Sequence, residues 1–174
     1  MKRPGPPFAI VLAALLLALP SAVPAATPAA EADAGAIVLR PLTLLKKKDL
    51  NFGTLATSPT AGTATINQFT GVVTTTGGVT ALPIGTAPSP AIFVGAGSKN
   101  APYQIRLPKN PVTVTRVGGT ETMTVTNWTL DGATNRKVGA NQAFEFNVGA
   151  QITDAANQAG GTYVGTFDVT VHYP

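Results

Sequence analysis

The sequence lacks cysteine and has one histidine, one tryptophan and few charged residues, which make up 11% of its 174 residues. Without cysteine, a folded domain depends on core packing and strand pairing, and disulfides and thiolate metal sites are excluded. Because His172 is the only histidine, a Ser-His-Asp triad has one candidate base. Its nearest same-face carboxylate, Asp168, lies about 13 Å away along an extended strand. The sequence therefore predicts no catalytic residue, and the protein is not expected to be an enzyme.

Motifs for cofactors, metals and nucleic acids are also missing. The segment Gly95 to Lys99 lacks the full spacing of a phosphate loop, and no helical pattern follows it. Calcium loops need several oxygen ligands at fixed spacing, which Asp131 and Asp154 with Asn157 do not supply. The basic run Lys46 to Lys48 has no interleaved aromatic residues for base stacking. We therefore predict no cofactor, no metal site and no nucleic-acid partner.

The first 25 residues have the layout of a secretory signal peptide. Lys2 and Arg3 precede an unbroken apolar run of 12 residues from Phe8 to Leu19, and small residues follow. A membrane-spanning helix needs about 20 apolar residues, so this run is too short for an anchor. We expect cleavage after Ala25 and export to the periplasm, cell surface or extracellular space. The mature chain is not expected to be an integral membrane protein.

The remaining chain divides into a leader and one domain. Residues 26–36 are rich in alanine and proline and predict a flexible leader. From residue 37 to residue 174, short β-prone runs alternate with turn residues, which predicts a single all-β domain, an antiparallel β-sandwich. The predicted strands are Ile37–Leu45, Leu50–Leu55, Thr63–Asn67, Val72–Thr76, Val79–Leu82, Ala91–Val94, Tyr103–Leu107, Val112–Val117, Met123–Leu130, Ala143–Thr153 and Tyr163–Tyr173. Gly77-Gly78 predicts a hairpin between the fourth and fifth of these.

Period-two alternation identifies the candidate core, because successive strand side chains point to opposite faces. Two strands carry the clearest apolar faces: Tyr103, Ile105 and Leu107 in one, and Phe144, Phe146, Val148 and Ile152 in the other. Between Val125 and Trp128 the apolar phase slips, which a bulge near Thr126 or Asn127 would explain. Trp128 is then a core residue, and the alternative is an exposed ring that stacks on sugars.

The last predicted strand is long for a domain of this size. Its apolar face consists of Tyr163, Phe167, Val169, Val171 and Tyr173. Eleven extended residues span about 33 Å. The strand either closes the core or presents an unpaired edge to another chain, and we treat its apolar residues as a candidate assembly strand.

Four segments in order resemble the DUF4402 (domain of unknown function) family: Leu50–Gly53, Ala91–Gly95, Phe146–Gly149, and the ending from Gly161 to Tyr173. The resemblance covers residues 36–174. This family is similar to spore-coat-U-like and fimbrial subunits, which are secreted by Gram-negative bacteria and have immunoglobulin-like sandwiches. The resemblance implies an immunoglobulin-like fold and no catalysis. In chaperone-assembled pilins a penultimate tyrosine ends an alternating C-terminal strand, and Tyr173 matches that position.

Two functions follow as hypotheses. The first is a cell-surface structural or adhesive subunit, fimbria-like, that assembles through strands with copies of itself or related subunits, with a periplasmic chaperone as a further partner. The second is a self-complete secreted module that binds a carbohydrate or envelope ligand without polymerising. Trp128 is the candidate ligand contact in the second hypothesis.

Overall fold

Thirteen β-strands build the part of the chain that the computed structural model describes, residues 33–174. They are β1 (Thr43–Lys48), β2 (Thr54–Ala56), β3 (Gly62–Ile66), β4 (Val73–Gly77), β5 (Thr80–Leu82), β6 (Ala91–Ala96), β7 (Pro102–Arg106), β8 (Val112–Arg116), β9 (Thr122–Leu130), β10 (Asn135–Lys137), β11 (Ala143–Asp154), β12 (Tyr163–Val164) and β13 (Thr170–His172). No helix occurs in this range. The predicted signal peptide and most of the leader lie outside the described residues.

The strands form three antiparallel sheets. The largest has eight strands and follows the order β1-β6-β11-β9-β8-β12, with β3 added to β11 and β4 added to β3. The second has the order β10-β7-β13, and the third pairs β2 with β5. Residues from Ile37 to Pro174 form one unit. The prediction of an all-β, antiparallel, sandwich-like single domain is confirmed.

The central strand β11 shows why the alternating pattern builds a core. Its first half pairs with β6 and its second half with β3, while β9 covers the other edge. Phe144, Phe146, Val148 and Ile152 are all buried, and Glu145 on the opposite face is exposed. Because strand side chains alternate between faces, this strand supplies apolar residues to the whole interior. The predicted core face of β11 is confirmed.

Two clusters of buried side chains make up the interior. The first cluster contains Ala91, Phe93, Tyr103, Ile105, Val138, Phe144, Phe146 and Val148. The second cluster contains Ala64, Val79, Met123, Val125, Ala150 and Ile152. Leu50 and Trp128 pack against both. These two side chains therefore lie where the clusters adjoin.

The predicted bulge in β9 is present. Thr126 pairs with Gln151 and Thr129 pairs with Gly149, so Asn127 and Trp128 lie opposite one residue, Ala150. Asn127 has a φ of 49°, the left-handed conformation that asparagine tolerates best among non-glycine residues. The extra residue changes the phase of the strand, and Trp128 turns toward the interior.

The N-terminal strand is shorter than predicted. Residues 37–42 belong to no strand, and β1 begins at Thr43. Pro41 has no N–H to donate to a ladder. The Arg40 backbone is bound by side chains instead, because its N–H donates to Ser98 Oγ at 2.6 Å and its carbonyl accepts from the Tyr173 hydroxyl at 2.7 Å. In the next predicted strand, Leu50–Leu55, only the end lies in β2.

The predicted hairpin at Gly77-Gly78 is wrong. β4 pairs with β3, whereas β5 pairs with β2. At Gly78 a Cβ atom would lie 2.0 Å from the Thr60 carbonyl oxygen, so the chain here packs tightly against the 58–60 turn. Val79 then enters the second core cluster. Burial of Val79 and pairing with a distant strand prevail over the local turn signal.

The prediction of one continuous strand from Tyr163 to Tyr173 is also wrong. Tyr163 and Val164 form β12 beside β8 in the large sheet, and Thr170 to His172 form β13 beside β7 in the three-stranded sheet. The residues between, 165–169, belong to no strand. The alternation nevertheless holds, because Tyr163, Phe167, Val169, Val171 and Tyr173 are all half-buried. The segment crosses from one sheet to the other while it keeps one face inward.

Candidate strand-binding cleft

A cleft of about 730 Å³ opens at the end of the domain where the C-terminal segment changes sheets. Inward-facing residues of β8, β9 and β11 line what we call its floor, and two further stretches of chain line what we call its sides. One side is residues 49–55 and the other is residues 158–167. About half of the lining residues are apolar or aromatic, including Leu50, Phe52, Val114, Trp128, Tyr163 and Phe167. The volume falls in the range of about 300–1,000 Å³ found for ligand sites.

Both sides of the cleft carry backbone that lies outside the sheets. Residues 165–169 are in no strand, and none of the turn and loop backbone hydrogen bonds of the described chain involves them. On the other side, residues 50–53 make a single backbone bridge, from Asn51 to Ser89, and the Gly53 N–H donates to Asn51 Oδ1 at 2.7 Å. Extended backbone with unpaired N–H and C=O groups is a template for another strand. The cleft thus combines an apolar interior with hydrogen-bonding sides.

Trp128, the candidate ligand contact, lies in this cleft. Its ring is half-buried and packs against Phe167, with ring centroids 4.5 Å apart. Its indole N–H has no hydrogen-bond partner among the described residues. Phe167 in turn meets Phe93 edge-to-face at 6.3 Å. An aromatic chain therefore joins the first core cluster to the cleft wall.

Asp154 is a site residue that the sequence predictions missed. It ends β11, is 1% exposed and lines the cleft, and both of its carboxylate oxygens lack a hydrogen-bond partner within residues 33–174. Desolvation by burial raises the pKa of this carboxyl above its ordinary value. Its position was readable, because Asp154 falls on the same alternating face as Val148 and Ile152. An acidic residue on an otherwise apolar strand face is the sequence signal that could have identified Asp154.

The candidate assembly residues have three different positions. Tyr163 and Phe167 line the cleft, whereas Val169 and Val171 pack against the first core cluster. The Tyr163 hydroxyl donates to the Ala159 carbonyl and accepts from Gln158 Nε2, both at 2.7 Å. The Tyr173 hydroxyl donates to the Arg40 carbonyl within the domain. Most of this apolar face therefore packs within the domain, and Tyr163 and Phe167 are the two residues that line the cleft.

Tyr173 links the C-terminal segment to Arg40 and Ser98. Its hydroxyl accepts from the Ser98 N–H at 2.9 Å and donates to the Arg40 carbonyl at 2.7 Å. Tyr173→Phe removes both bonds, each contributing about 0.5–1.5 kcal/mol, so we expect the free energy of unfolding to fall by about 1–3 kcal/mol. Urea unfolding measures the loss, and amide exchange at Ser98 should accelerate. Unchanged stability together with unchanged exchange at Ser98 would contradict this role.

An exposed apolar arm precedes the anchored Arg40. Ile37 and Val38 are 90% and 92% exposed, and Leu39 is 42% exposed. These residues belong to no strand. Three consecutive large apolar residues at the surface form a candidate contact site. The arm, residues 33–39, was predicted as leader and strand start, and its exposure could not be read from the sequence.

Charge is sparse around the cleft. Asp49 and Asp154 are the only charged residues among the described residues that line it. The basic run lies on β1, where Lys46 pairs with Asp49 at 2.5 Å and Lys47 with Glu145 at 2.9 Å, all solvent-exposed. Within residues 33–174 no group of three potential metal-ligating side chains occurs, and no helix is long and apolar enough to cross a membrane.

Comparison with known proteins identifies the family of this chain. The family described as a domain of unknown function (DUF4402) matches residues 42–173, which is most of the chain. The protein belongs to the DUF4402 family. No curated protein and no solved structure matches it. The matched residues of this DUF4402 chain include both sides of the cleft, the bulge at Trp128, and Asp154.

Proposed function

We propose that this DUF4402 protein is a secreted cell-surface structural subunit that assembles by strand addition, with the cleft as the place where a strand of another polypeptide docks. The observation that carries the proposal is the backbone of residues 165–169, which leaves the sheets without backbone hydrogen bonds at the edge of the cleft. A docked strand would pair with this backbone and direct alternate side chains into the interior. Secretion is inferred from the signal-peptide layout of residues 1–25.

The exposed arm supports the same proposal from the donor side. Ile37 and Leu39 point to one face of an extended chain, so the arm can supply alternating apolar side chains to a neighbouring subunit. A subunit with one cleft and one arm makes different contacts at its two ends. Such head-to-tail contacts do not close on themselves unless the rotation allows it, and they generate filaments. This is the geometry of a fimbria-like assembly.

A second candidate function is a self-complete module that binds a carbohydrate or envelope ligand. The unpartnered indole N–H of Trp128 in the cleft favours it, since a bound ligand could supply the missing acceptor. Strand docking remains the better-supported function, because a small ligand leaves the backbone groups on both sides of the cleft without partners.

Binding of an alternating peptide tests the proposal. We expect a ten-residue Thr-Val repeat peptide to bind the chain lacking residues 1–25, to shift the emission of Trp128, the only tryptophan, and to raise the melting temperature. Val114→Asp places a charge on the cleft floor and should reduce affinity at least tenfold. Thr113→Asp is the matched control, because Thr113 lies on the exposed face of the same strand.

Val114→Thr provides a milder change if the aspartate variant does not fold, and it should weaken binding in the same direction. Failure of the peptide to bind, or equal losses for the Val114 and Thr113 variants, would overturn the proposal. Binding of neutral oligosaccharides with a Trp128 emission shift, in place of the peptide, would support the second candidate function.

A further inference from the structure

We propose that Asp154 makes the cleft selective for a strand that carries a lysine or arginine, so that its occupant comes from a different polypeptide and not from the arm of a second copy. This inference rests on the proposed strand docking and specifies the partner's chemistry. Asp154 is 1% exposed and faces the cleft with both carboxylate oxygens unpartnered among the described residues.

An unpaired carboxylate in an apolar interior is costly. Burying an ion without a partner costs several kcal/mol, and the cost falls when an opposite charge or a hydrogen-bond donor supplies the missing contacts. The described residues that line the cleft include no lysine, arginine or histidine, and their other acid, Asp49, pairs with Lys46 outside the cleft. The described cleft residues therefore supply no compensating charge for Asp154, and an occupant can supply one. A lysine or arginine side chain meets this requirement best, since its bond to a carboxylate is charge-assisted.

The occupant is inferred to be a polypeptide because the cleft sides offer backbone groups. In an extended strand, every second side chain points to the same face. A docked strand can therefore direct apolar residues and one basic residue toward a lining that contains Val114, Phe167 and Asp154. Specificity then depends on a single position of the strand.

The arm of this chain has the wrong charge for its own cleft. Residues 26–39 contain Glu31 and Asp33 and no lysine or arginine. Asp33 lies on the same alternating face as Ile37 and Leu39, so docking of these two residues would carry a carboxylate along the face that enters the cleft. Like charges in a desolvated site disfavour association, which is a common means of excluding a wrong partner. Charge complementarity therefore favours a mixed assembly over a homopolymer.

The test compares synthetic ten-residue peptides that differ at one inward position. The parent is the Thr-Val repeat, and a lysine or a methionine replaces the valine at each of three successive inward positions, which allows for register. We expect the best lysine peptide to bind at least tenfold more tightly than its methionine counterpart, as followed by Trp128 emission. The arm peptide, residues 33–39, should bind more weakly than either.

Asp154→Asn is the decisive variant, with Asp168→Asn as the control, because Asp168 is exposed and does not line the cleft. Asp154→Asn should abolish the preference for lysine and leave binding of the methionine peptide nearly unchanged. Equal affinity of lysine and methionine peptides would overturn the inference while the strand-docking proposal stands. Tightest binding by the arm peptide would overturn it in favour of a second copy. Failure of all peptides would overturn both proposals.

Discussion

Deletion of the last six residues, Val169 to Pro174, is expected to abolish cooperative folding. These residues include β13, which pairs with β7 through Thr170, Val171 and His172. Val169 and Val171 pack against the first core cluster, and Tyr173 fastens Arg40 and Ser98. A fully buried valine contributes about 1.5–3 kcal/mol, and these two half-buried valines each contribute a part of that. Loss of these contacts and of a whole strand approaches the total stability of about 5–15 kcal/mol that a domain possesses.

Urea unfolding followed by near-ultraviolet circular dichroism measures the effect. The deletion should remove the sigmoidal transition, whereas deletion of the exposed Pro174 alone should leave it in place. A synthetic peptide of residues 165–174 added to the truncated chain should restore part of the native signal, because the missing strand can pair with β7 in trans. A truncated chain that still unfolds cooperatively would show that β13 is dispensable for the fold.

The faces of the strands could be read from the sequence because alternation is a local property. In β11 the pattern from Phe144 to Ile152 identifies the buried face without knowledge of any partner strand. The bulge in β9 was predictable for the same reason, since the slip between Val125 and Trp128 occurs within one strand. In both places the physical cause, the direction of each Cβ, lies in the chain itself.

Pairing partners could not be read in this way. The segment from Tyr163 to Tyr173 has one continuous pattern, yet its two ends join different sheets. Alternation does not reveal this change of sheet, because the apolar face of the segment points to the interior on either sheet. The same limit explains β5, which pairs with β2 about 25 residues earlier and not with its neighbour β4. The strand with which a segment pairs depends on packing in the whole core, and the alternation within that segment does not specify it.

The candidate cleft was only partly predictable. Tyr163, Phe167 and Trp128 were all selected from the sequence, and the fold brings them to one cleft. Asp154 was considered only as a calcium ligand, although its place on the alternating face of β11 indicates burial. A cleft is a property of segments that do not pair, and the absence of pairing at residues 165–169 became visible only with the sheets assembled.

Phe146→Ala is expected to have the largest effect of any single substitution considered. Phe146 is fully buried, stacks on Phe93 with ring centroids 5.4 Å apart, and lies 6.3 Å from the Phe144 ring. Truncation of a buried phenylalanine costs about 3–5 kcal/mol. Phe69→Ala is the matched control, since Phe69 is 65% exposed and exposed substitutions usually change stability by less than about 0.5 kcal/mol.

The consequence of Phe146→Ala should extend to the cleft. Phe93 contacts both Phe146 and Phe167, and Phe167 packs against Trp128. A cavity beside Phe93 loosens this aromatic chain, so we expect a shift in Trp128 emission in the native state and weaker binding of the Thr-Val peptide. A stability loss of about 3–5 kcal/mol with unchanged emission and affinity would show that the core supports the fold but does not position the cleft wall. A combined loss would establish that packing at Phe146 determines the shape of the docking site.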